Sequence, residues 1–146
     1  MSSIERSSSV DGIPEPTGPF NWTVSRNGLV FVSGVRGIDP DTGQPAVGDE
    51  RRIELIFQHL EKILDDAGSS LQSVLVSTVY VTDMIGLRPL VNDAYVAAFG
   101  DNLPTRTIVE AVSYTPLRAH ETLRYLLCRL QHEKKKGGGG GGGGGG

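Results

Sequence analysis

Residue types that commonly carry out catalysis are sparse in the first 111 residues of this chain. His59 is the single histidine there, which disfavours a Ser-His-Asp hydrolase triad. Cys128 is the only cysteine, so an internal disulfide and a thiolate metal cluster are excluded. The sequence contains no GxxxxGK[ST], GxGxxG or GxSxG motif. We therefore predict chemistry that uses neither a metal nor a cofactor.

Two short segments could be taken for ligand-binding loops, and neither has the required pattern. The SGVRG segment at 33–37 has two glycines but does not open a helix, as a phosphate loop would. The DPDTG segment at 39–43 is acidic, yet it lacks the spacing and the distal glutamate of a calcium loop, so it is predicted to be a turn. His59 has no obvious catalytic partner and is interpreted as an ordinary helix residue.

The apolar pattern predicts a β-hairpin followed by a helix, a strand, a second helix and a second strand. Strands at 20–24 and 29–33 flank an Asn27-Gly28 turn. A helix follows, capped by Asp49 and ended by Gly68. Its apolar stripe is Ile53, Ile56, Phe57, Leu60, Ile63 and Leu64. A buried strand is predicted at 74–81, a second helix from Arg88-Pro89, and a strand at 105–111. This order predicts an α+β domain in which two helices pack on one face of a mixed sheet.

Both ends of the chain differ in composition from this domain, which we assign to residues 19–111. Residues 1–18 are rich in Ser, Gly and Pro and are predicted to be flexible. Residues 137–146 are unbroken glycine, and residues 112–136 resemble a translated sequencing-library adapter. We expect the natural chain to stop near Ala111 and the remainder to be read-through.

The charge of residues 1–111 limits the possible partners. This part of the chain has 8 basic and 15 acidic residues, a net charge of −7. Such an acidic body argues against nucleic acid or an anionic membrane surface as partner. There is no apolar run of the roughly 20 residues that a membrane helix needs, and the polar N-terminus lacks a signal-peptide core. A cytoplasmic protein is expected.

Six segments together resemble the Rid/YjgF family of imine and enamine deaminases. They occur in the family's order and spacing between Pro19 and Glu110, and the last of them, PTRTIVE, is the most specific. The segments are GLVFVSG at 28–34, DPDTG at 39–43, LDDAG at 64–68, STVYVTDM at 77–84, the Asn92 and Tyr95 pair, and PTRTIVE at 104–110. The resemblance implies a chorismate-mutase-like fold, a homotrimer, and ligand pockets in the clefts between subunits.

The resemblance also implies an activity, the hydrolysis of reactive 2-imino and 2-enamino acids to keto acids and ammonia. Such substrates carry a carboxylate beside the C=N carbon, and Arg106 is the residue that would clamp it through charge-assisted hydrogen bonds. The family further implies ligand contacts from Ser33, Gly34, Asn92 and the backbone of Ile108. Phe20 stands where well-studied members have a tyrosine, which removes a hydroxyl from the pocket.

The final strand is where this chain departs most from the family pattern. In deaminating members that strand supplies a glutamate that holds the attacking water, and here it would fall in the segment after Ala111. Glu121 does not have the family's context and is given no role. We therefore expect the final strand to be lost, a sheet edge to be exposed, and stability and activity to be weak. The alternative function is a non-catalytic trimer that binds small carboxylates with the same arginine.

Overall fold

The computed structural model describes residues 3–111 and 127–133, which form six strands, two α-helices and one 3-10 turn. In chain order these are β1 (Glu5–Ser7), β2 (Thr23–Arg26), β3 (Leu29–Val32), α1 (Asp49–Asp66), the 3-10 turn (Leu71–Ser73), β4 (Val74–Val81), α2 (Met84–Phe99), β5 (Thr105–Glu110) and β6 (Leu127–Glu133). The strands form one sheet in the order β1-β2-β3-β6-β4-β5. Only the β4–β5 pair is parallel, and the others are antiparallel. The predicted α+β class with a mixed sheet is confirmed.

The hairpin predicted around Asn27-Gly28 is confirmed, with its strands at β2 and β3. Both turn residues have positive φ, 53° for Asn27 and 78° for Gly28. A two-residue turn of this kind matches the right-handed twist of the flanking strands, and Asn-Gly is the sequence that adopts it most readily. The first strand of the hairpin, β2, begins three residues later than predicted, at Thr23 instead of Phe20.

The expected loss of the final strand is wrong for the described backbone. β6 lies in the interior of the sheet, paired antiparallel with β3 on one side and with β4 on the other. The edges of β3 and β4 that face β6 are therefore paired. Glu121 lies outside the described residues.

The two helices pack over the sheet and enclose the core. All six residues of the predicted α1 stripe are buried, together with Val30 and Val32 of β3 and Val79 and Val81 of β4. Two helix starts differ from the prediction. Gly48 is the N-cap of α1 and Asp49 is its first residue, while α2 begins at Met84, capped by the Asp83 side chain. Pro89 therefore lies inside α2, because the Asp83 cap provides a stronger start signal than the proline.

The N-terminal segment is more structured than its composition indicated. Glu5–Ser7 pairs with Thr23–Ser25 as an additional antiparallel strand. Val10 and Ile13 are buried in the core. Two apolar residues among many polar ones were too few to predict this contact from the sequence.

The approach of Gly37 to α1 leads to our first prediction. A Cβ at this position would lie 2.6 Å from the Cα of Arg52, against backbone that cannot move aside easily. We expect Gly37→Ala to lower the free energy of unfolding by about 1–3 kcal/mol, as overpacking of a close contact does. Gly18→Ala is the matched control, because its Cβ would meet only the Phe20 ring at 3.7 Å. Equal unfolding curves for the two variants in denaturant would contradict this account of the contact.

Candidate functional site

Arg106 lies on β5 and is held against α2 by two contacts. Its Nη1 donates a hydrogen bond of 2.8 Å to the Asn92 Oδ1. Its guanidinium carbon lies 4.9 Å from the centre of the Tyr95 ring, within the range of a cation–π contact. Arg106 is half-buried, so part of its guanidinium remains open to a ligand. The structure thus brings together Arg106 and Asn92, two of the predicted site residues.

A chain of buried hydrogen bonds fixes the aromatic ring beneath Arg106. The Ser77 hydroxyl donates to the Thr105 carbonyl at 3.1 Å, so its oxygen is left to accept from the Tyr95 hydroxyl at 2.7 Å. These bonds connect α2 to β4 and to the start of β5. Phe57 packs edge-on against the same ring, and Phe99 packs against it at a tilt. The arginine is therefore supported by rigid elements, which reduces the entropy lost when it binds a ligand.

Only part of this support could be predicted from the sequence. Asn92 and Tyr95 are three residues apart on α2, a spacing that places both side chains on one face of the helix. This spacing can be recognised in the sequence. The role of Ser77 cannot be predicted from it, because nothing in a run of β-forming residues indicates which hydroxyl will contact a tyrosine on a distant helix.

Ile108 is the second predicted residue on β5. It is half-buried and packs against the core, two residues from Arg106 along the strand and hence on the same face of the sheet. β5 ends the strand order of the described sheet, with β4 as its one paired neighbour there. Among the described residues, the outer edge of the strand that carries Arg106 and Ile108 is not paired with another strand.

The remaining predicted residues form a separate group at the end of β3. The Ser33 hydroxyl donates to the Asn21 carbonyl at 2.6 Å, and the Ser33 amide donates to the Trp22 carbonyl at 3.0 Å. Gly34 follows and is exposed. Phe20 is 39% exposed and packs edge-on against Trp22, with ring centres 5.6 Å apart. Phe20 and Gly34 line a common cavity of about 90 Å³, which Arg106 does not reach.

The two groups are distant from each other within one chain. β6 and β4 lie between β3 and β5, so the groups are separated by three strand spacings, roughly 14 Å. No single small substrate could contact Arg106 and Ser33 of the same chain at once. A site that uses all six predicted residues would need a second copy of the chain.

Two acids, Glu110 and Asp83, hold the start of α2. The Glu110 carboxylate accepts a hydrogen bond of 2.9 Å from the Met84 amide, and the Asp83 carboxylate accepts one of 3.0 Å from the Gly86 amide. Both bonds satisfy amides of the first helical turn, which have no partner inside the helix. Within residues 3–111 and 127–133, no group of three or more His, Cys, Asp or Glu residues is arranged to hold a metal ion.

A family model described as Endoribonuclease L-PSP matches residues 12–119 of this chain. The chain belongs to this family, the Rid/YjgF family. The resemblance in sequence is thereby confirmed, and the match covers every residue of both groups described above. It also extends eight residues beyond Ala111, where we expected the natural sequence to end.

The proteins of the Rid/YjgF family that are similar to this chain have been given different functional names. The RutC family protein of Pyrococcus abyssi is 34% identical over 98 residues, 66% of this chain and 76% of its own length. Reactive Intermediate Deaminase A of Arabidopsis thaliana, a chloroplastic protein, is 30% identical over 112 residues, 76% of this chain and 59% of its own length. A Thermotoga maritima crystal structure, described as that of a candidate endoribonuclease, has a TM-score of 0.77 at 30% identity, over 89% of this chain and 98% of that one.

The contact between Asn92 and Arg106 leads to the second prediction. Asn92→Asp would place a carboxylate at the position of the Oδ1 that now lies 2.8 Å from the guanidinium. This internal carboxylate would compete with the carboxylate of a ligand, so we expect affinity for small carboxylates to fall by about tenfold or more. Asn92→Ala removes the contact without competition and should cost less. Calorimetric titration with pyruvate compares the two variants, and a weaker binding by Asn92→Ala would contradict the prediction.

Proposed function

We propose that this protein hydrolyses reactive 2-imino acids, and the enamines that tautomerise to them, to 2-keto acids and ammonia. The observation that carries the proposal is the half-exposed guanidinium of Arg106, held by Asn92 and above Tyr95. A guanidinium is always charged and presents two parallel N–H groups to a carboxylate, the group that every such substrate carries. Membership of a family that includes a protein named Reactive Intermediate Deaminase A supports this choice.

The reaction requires positioning more than strong chemical activation. A water oxygen adds to the imine carbon, the C–N bond breaks with transfer of protons to nitrogen, and the products are the keto acid and ammonia. Holding the carboxylate fixes the adjacent imine carbon relative to that water, which lowers the entropic barrier. Arg106 would also stabilise negative charge next to the reacting carbon. No cofactor takes part in this scheme, and water is the co-substrate.

The proposed site lies between two copies of the chain in a homotrimer. The six predicted residues fall into two groups, one on β5 and α2 and one near the end of β3, that are too far apart for one ligand. In addition, the sheet face opposite the helices carries exposed apolar side chains on β3, β4 and β5, namely Leu29, Phe31, Val76 and Val109. Exposed apolar side chains on one face of a sheet are typical of a protein interface. Closure of three copies would cover that face and join the two groups.

Two other functions can be compared with this one on the same residues. A non-catalytic carboxylate binder would use the same Arg106 to hold a carboxylate, without a group that holds the attacking water. An endoribonuclease, as some relatives are named, would have to bind a polyanion, and the net charge of −7 on residues 1–111 opposes such binding electrostatically.

None of the helices in the described part of the chain is long and apolar enough to span a membrane.

A pair of substrates tests the role of the carboxylate, which is our third prediction. The imine derived from alanine and the imine derived from alanine methyl ester share the same C=N group, but only the first has a charge for Arg106 to bind. We expect kcat/KM to be at least about 100-fold higher for the free acid, because a site built for a charged partner discriminates strongly against its absence. Equal rates, measured as ammonia released above the uncatalysed background, would overturn the proposal.

A further inference from the structure

A groove between α1 and α2 has no part in the proposed function. Its central part has a volume of about 510 Å³, which is within the size range of pockets that bind ligands. None of the six predicted site residues lines it. Its apolar floor comes from both helices and includes Ile53, Phe57, Leu90, Ala94, Ala97 and Ala98. We call this surface the helix groove.

The charged residues of the helix groove are mostly acidic. Its central part is lined by four exposed acids, Glu50, Glu54, Glu61 and Asp93, and by no described Lys, Arg or His. Glu54 pairs with Arg51 at 2.8 Å. In the part of the chain that the structure describes, no basic side chain lies within salt-bridge distance of the other three acids. Their uncompensated negative charge favours a positively charged partner.

The three acids on α1 form a row along the helix groove. Glu50, Glu54 and Glu61 are separated by four and then seven residues, spacings that place them on one face of the helix. At the helical rise per residue, this row is about 16 Å long. A compact ligand such as a single organic amine could contact only part of the row. A partner helix with basic residues at the same spacings could contact all of it.

Further depressions continue the helix groove at both ends. One includes Val47, which is 93% exposed, and the other extends to Asp65. Each shares at least three lining residues with the central part, so the three are continuous. The ends add Asp49 and Asp65 as acids and Arg51 and Lys62 as bases, so acids outnumber bases by six to two. From Asp49 to Asp65 the groove follows α1 for about 24 Å, the length of a helix of about 16 residues.

We propose that the helix groove binds a basic amphipathic helix of another protein. An amphipathic helix docks by placing apolar anchors, spaced three or four residues apart, in a groove of this kind. The small side chains of Ala94, Ala97 and Ala98 leave room for the anchors, and Lys or Arg residues beside them would pair with the acids. A second copy of this chain is a poor occupant, because its body is itself acidic. The groove is also separate from the proposed subunit interface, which lies on the sheet face opposite the helices.

A synthetic peptide tests this proposal with the full chain. The probe is a fluorescein-labelled peptide of about 16 residues, with leucine at every third or fourth position and lysine and alanine elsewhere. One control peptide has glutamate in place of every lysine. A second has the same composition in a scrambled order that forms no apolar face. In anisotropy titrations we expect the probe to bind with saturation, and at least about tenfold more tightly than either control peptide.

Two lysine substitutions on α2 show where the probe binds. Ala97→Lys places a long, positively charged side chain in the helix groove and should weaken probe binding by about tenfold or more, because like charges repel. Val96→Lys is the matched control, since Val96 is 64% exposed on the same helix and lines no part of the groove. It adds the same charge, and the affinity should stay within about twofold. Thermal unfolding confirms that both variants are folded.

Neutral substitutions test the contribution of the acids. Glu61→Gln combined with Asp93→Asn should weaken probe binding by about fivefold at low ionic strength, and by less at about 0.5 M salt, because salt screens exposed charges. Asp11→Asn combined with Asp101→Asn is the matched control. It removes the same charge from two exposed acids that do not line the groove, and should change the affinity by less than about twofold.

Four results would overturn the proposal, whether or not imines are hydrolysed. The first is the absence of saturable probe binding. Equal effects of the two lysine substitutions would show attraction to the net charge of the protein only. Equal binding of the scrambled peptide would show that an apolar helix face is not recognised. Full displacement of the probe by benzylamine at an equal concentration would identify a compact amine as the occupant.

Discussion

Replacing Arg106 with alanine is expected to lower kcat/KM for 2-imino acids by about 100-fold or more. Each charge-assisted hydrogen bond contributes about 1.5–3 kcal/mol, and a guanidinium can form two to one carboxylate. Arg106 is half-buried and contacts Asn92 and the Tyr95 ring, so we expect a large loss of activity and a much smaller loss of stability from these two contacts. Initial rates of keto-acid formation and a thermal unfolding curve measure the two effects separately.

Two further variants control this result. Arg106→Lys keeps the charge but not the paired N–H groups, and we expect it to recover only part of the activity. Arg51→Ala removes an exposed arginine on α1 that pairs with Glu54 at 2.8 Å, far from β5, and its activity should remain within about twofold of the unmodified protein. If Arg106→Ala retained full activity, the carboxylate would have to be bound elsewhere.

Two inactive variants are expected to restore activity when they are assembled together. Arg106→Ala disables the β5 half of the proposed site. Phe20→Glu disables the β3 half, because it introduces a negative charge beside the position of the substrate carboxylate. In a mixed trimer, the Phe20→Glu chain still has Arg106, and the Arg106→Ala chain still has Phe20. A site between these two chains can therefore contain both residues unmodified. Random assembly from equal amounts yields such sites at about one quarter of all interfaces, so about a quarter of the normal activity should return.

Mixing the folded variants without dissociation is the control for this experiment, since subunits must exchange before hybrid sites form. Co-refolding or co-expression provides the exchange, and size-exclusion chromatography with light scattering gives the number of chains per particle. If the site lay within one chain, the co-assembled sample would show no more than the mean activity of the two separate variants. That result would contradict a site formed between subunits.

The fold could be predicted well where the local pattern is strong. The α1 stripe and the Asn27-Gly28 turn are found as predicted, and the strand at Val74–Val81 has the predicted bounds, but it is not buried throughout, because Leu75 and Val76 are exposed. The predicted start of α2 is wrong because Pro89 gave a misleading signal, although Asp83, a residue type that commonly caps helices, was also present in the sequence. The position of β6 inside the sheet could not be predicted, because strand order depends on long-range pairing that local patterns do not encode.

The site was less predictable than the fold. Asn92 and Arg106, which belong to two different segments of the family resemblance, could be assigned through it and do meet. His59 is a residue of α1, as predicted, but its deep burial and its bond to the Ile38 carbonyl could not be predicted. A lone histidine beside an apolar stripe gives no indication of what lies opposite, since that residue comes from a loop 21 positions earlier in the chain.

The C-terminal segment bears directly on catalysis. We propose that residues 112–136 and the glycines at 137–146 are sequencing read-through; most of this segment lies outside the described residues. Re-sequencing the 3′ end of the gene across the codons for Glu110 to His132 tests this. A different strand with an acidic residue would confirm the read-through and supply a group to hold water. Confirmation of the present sequence would favour the non-catalytic binder.

The most direct test of the central claim is the release of ammonia and keto acid from a 2-imino acid generated in place by an amino-acid oxidase. We predict that the protein accelerates both releases equally above the uncatalysed rate, in proportion to protein concentration, and that the Arg106→Ala variant does not. Saturable binding of pyruvate by the folded protein, without any acceleration of hydrolysis, would contradict the claim and identify the protein as a carboxylate binder.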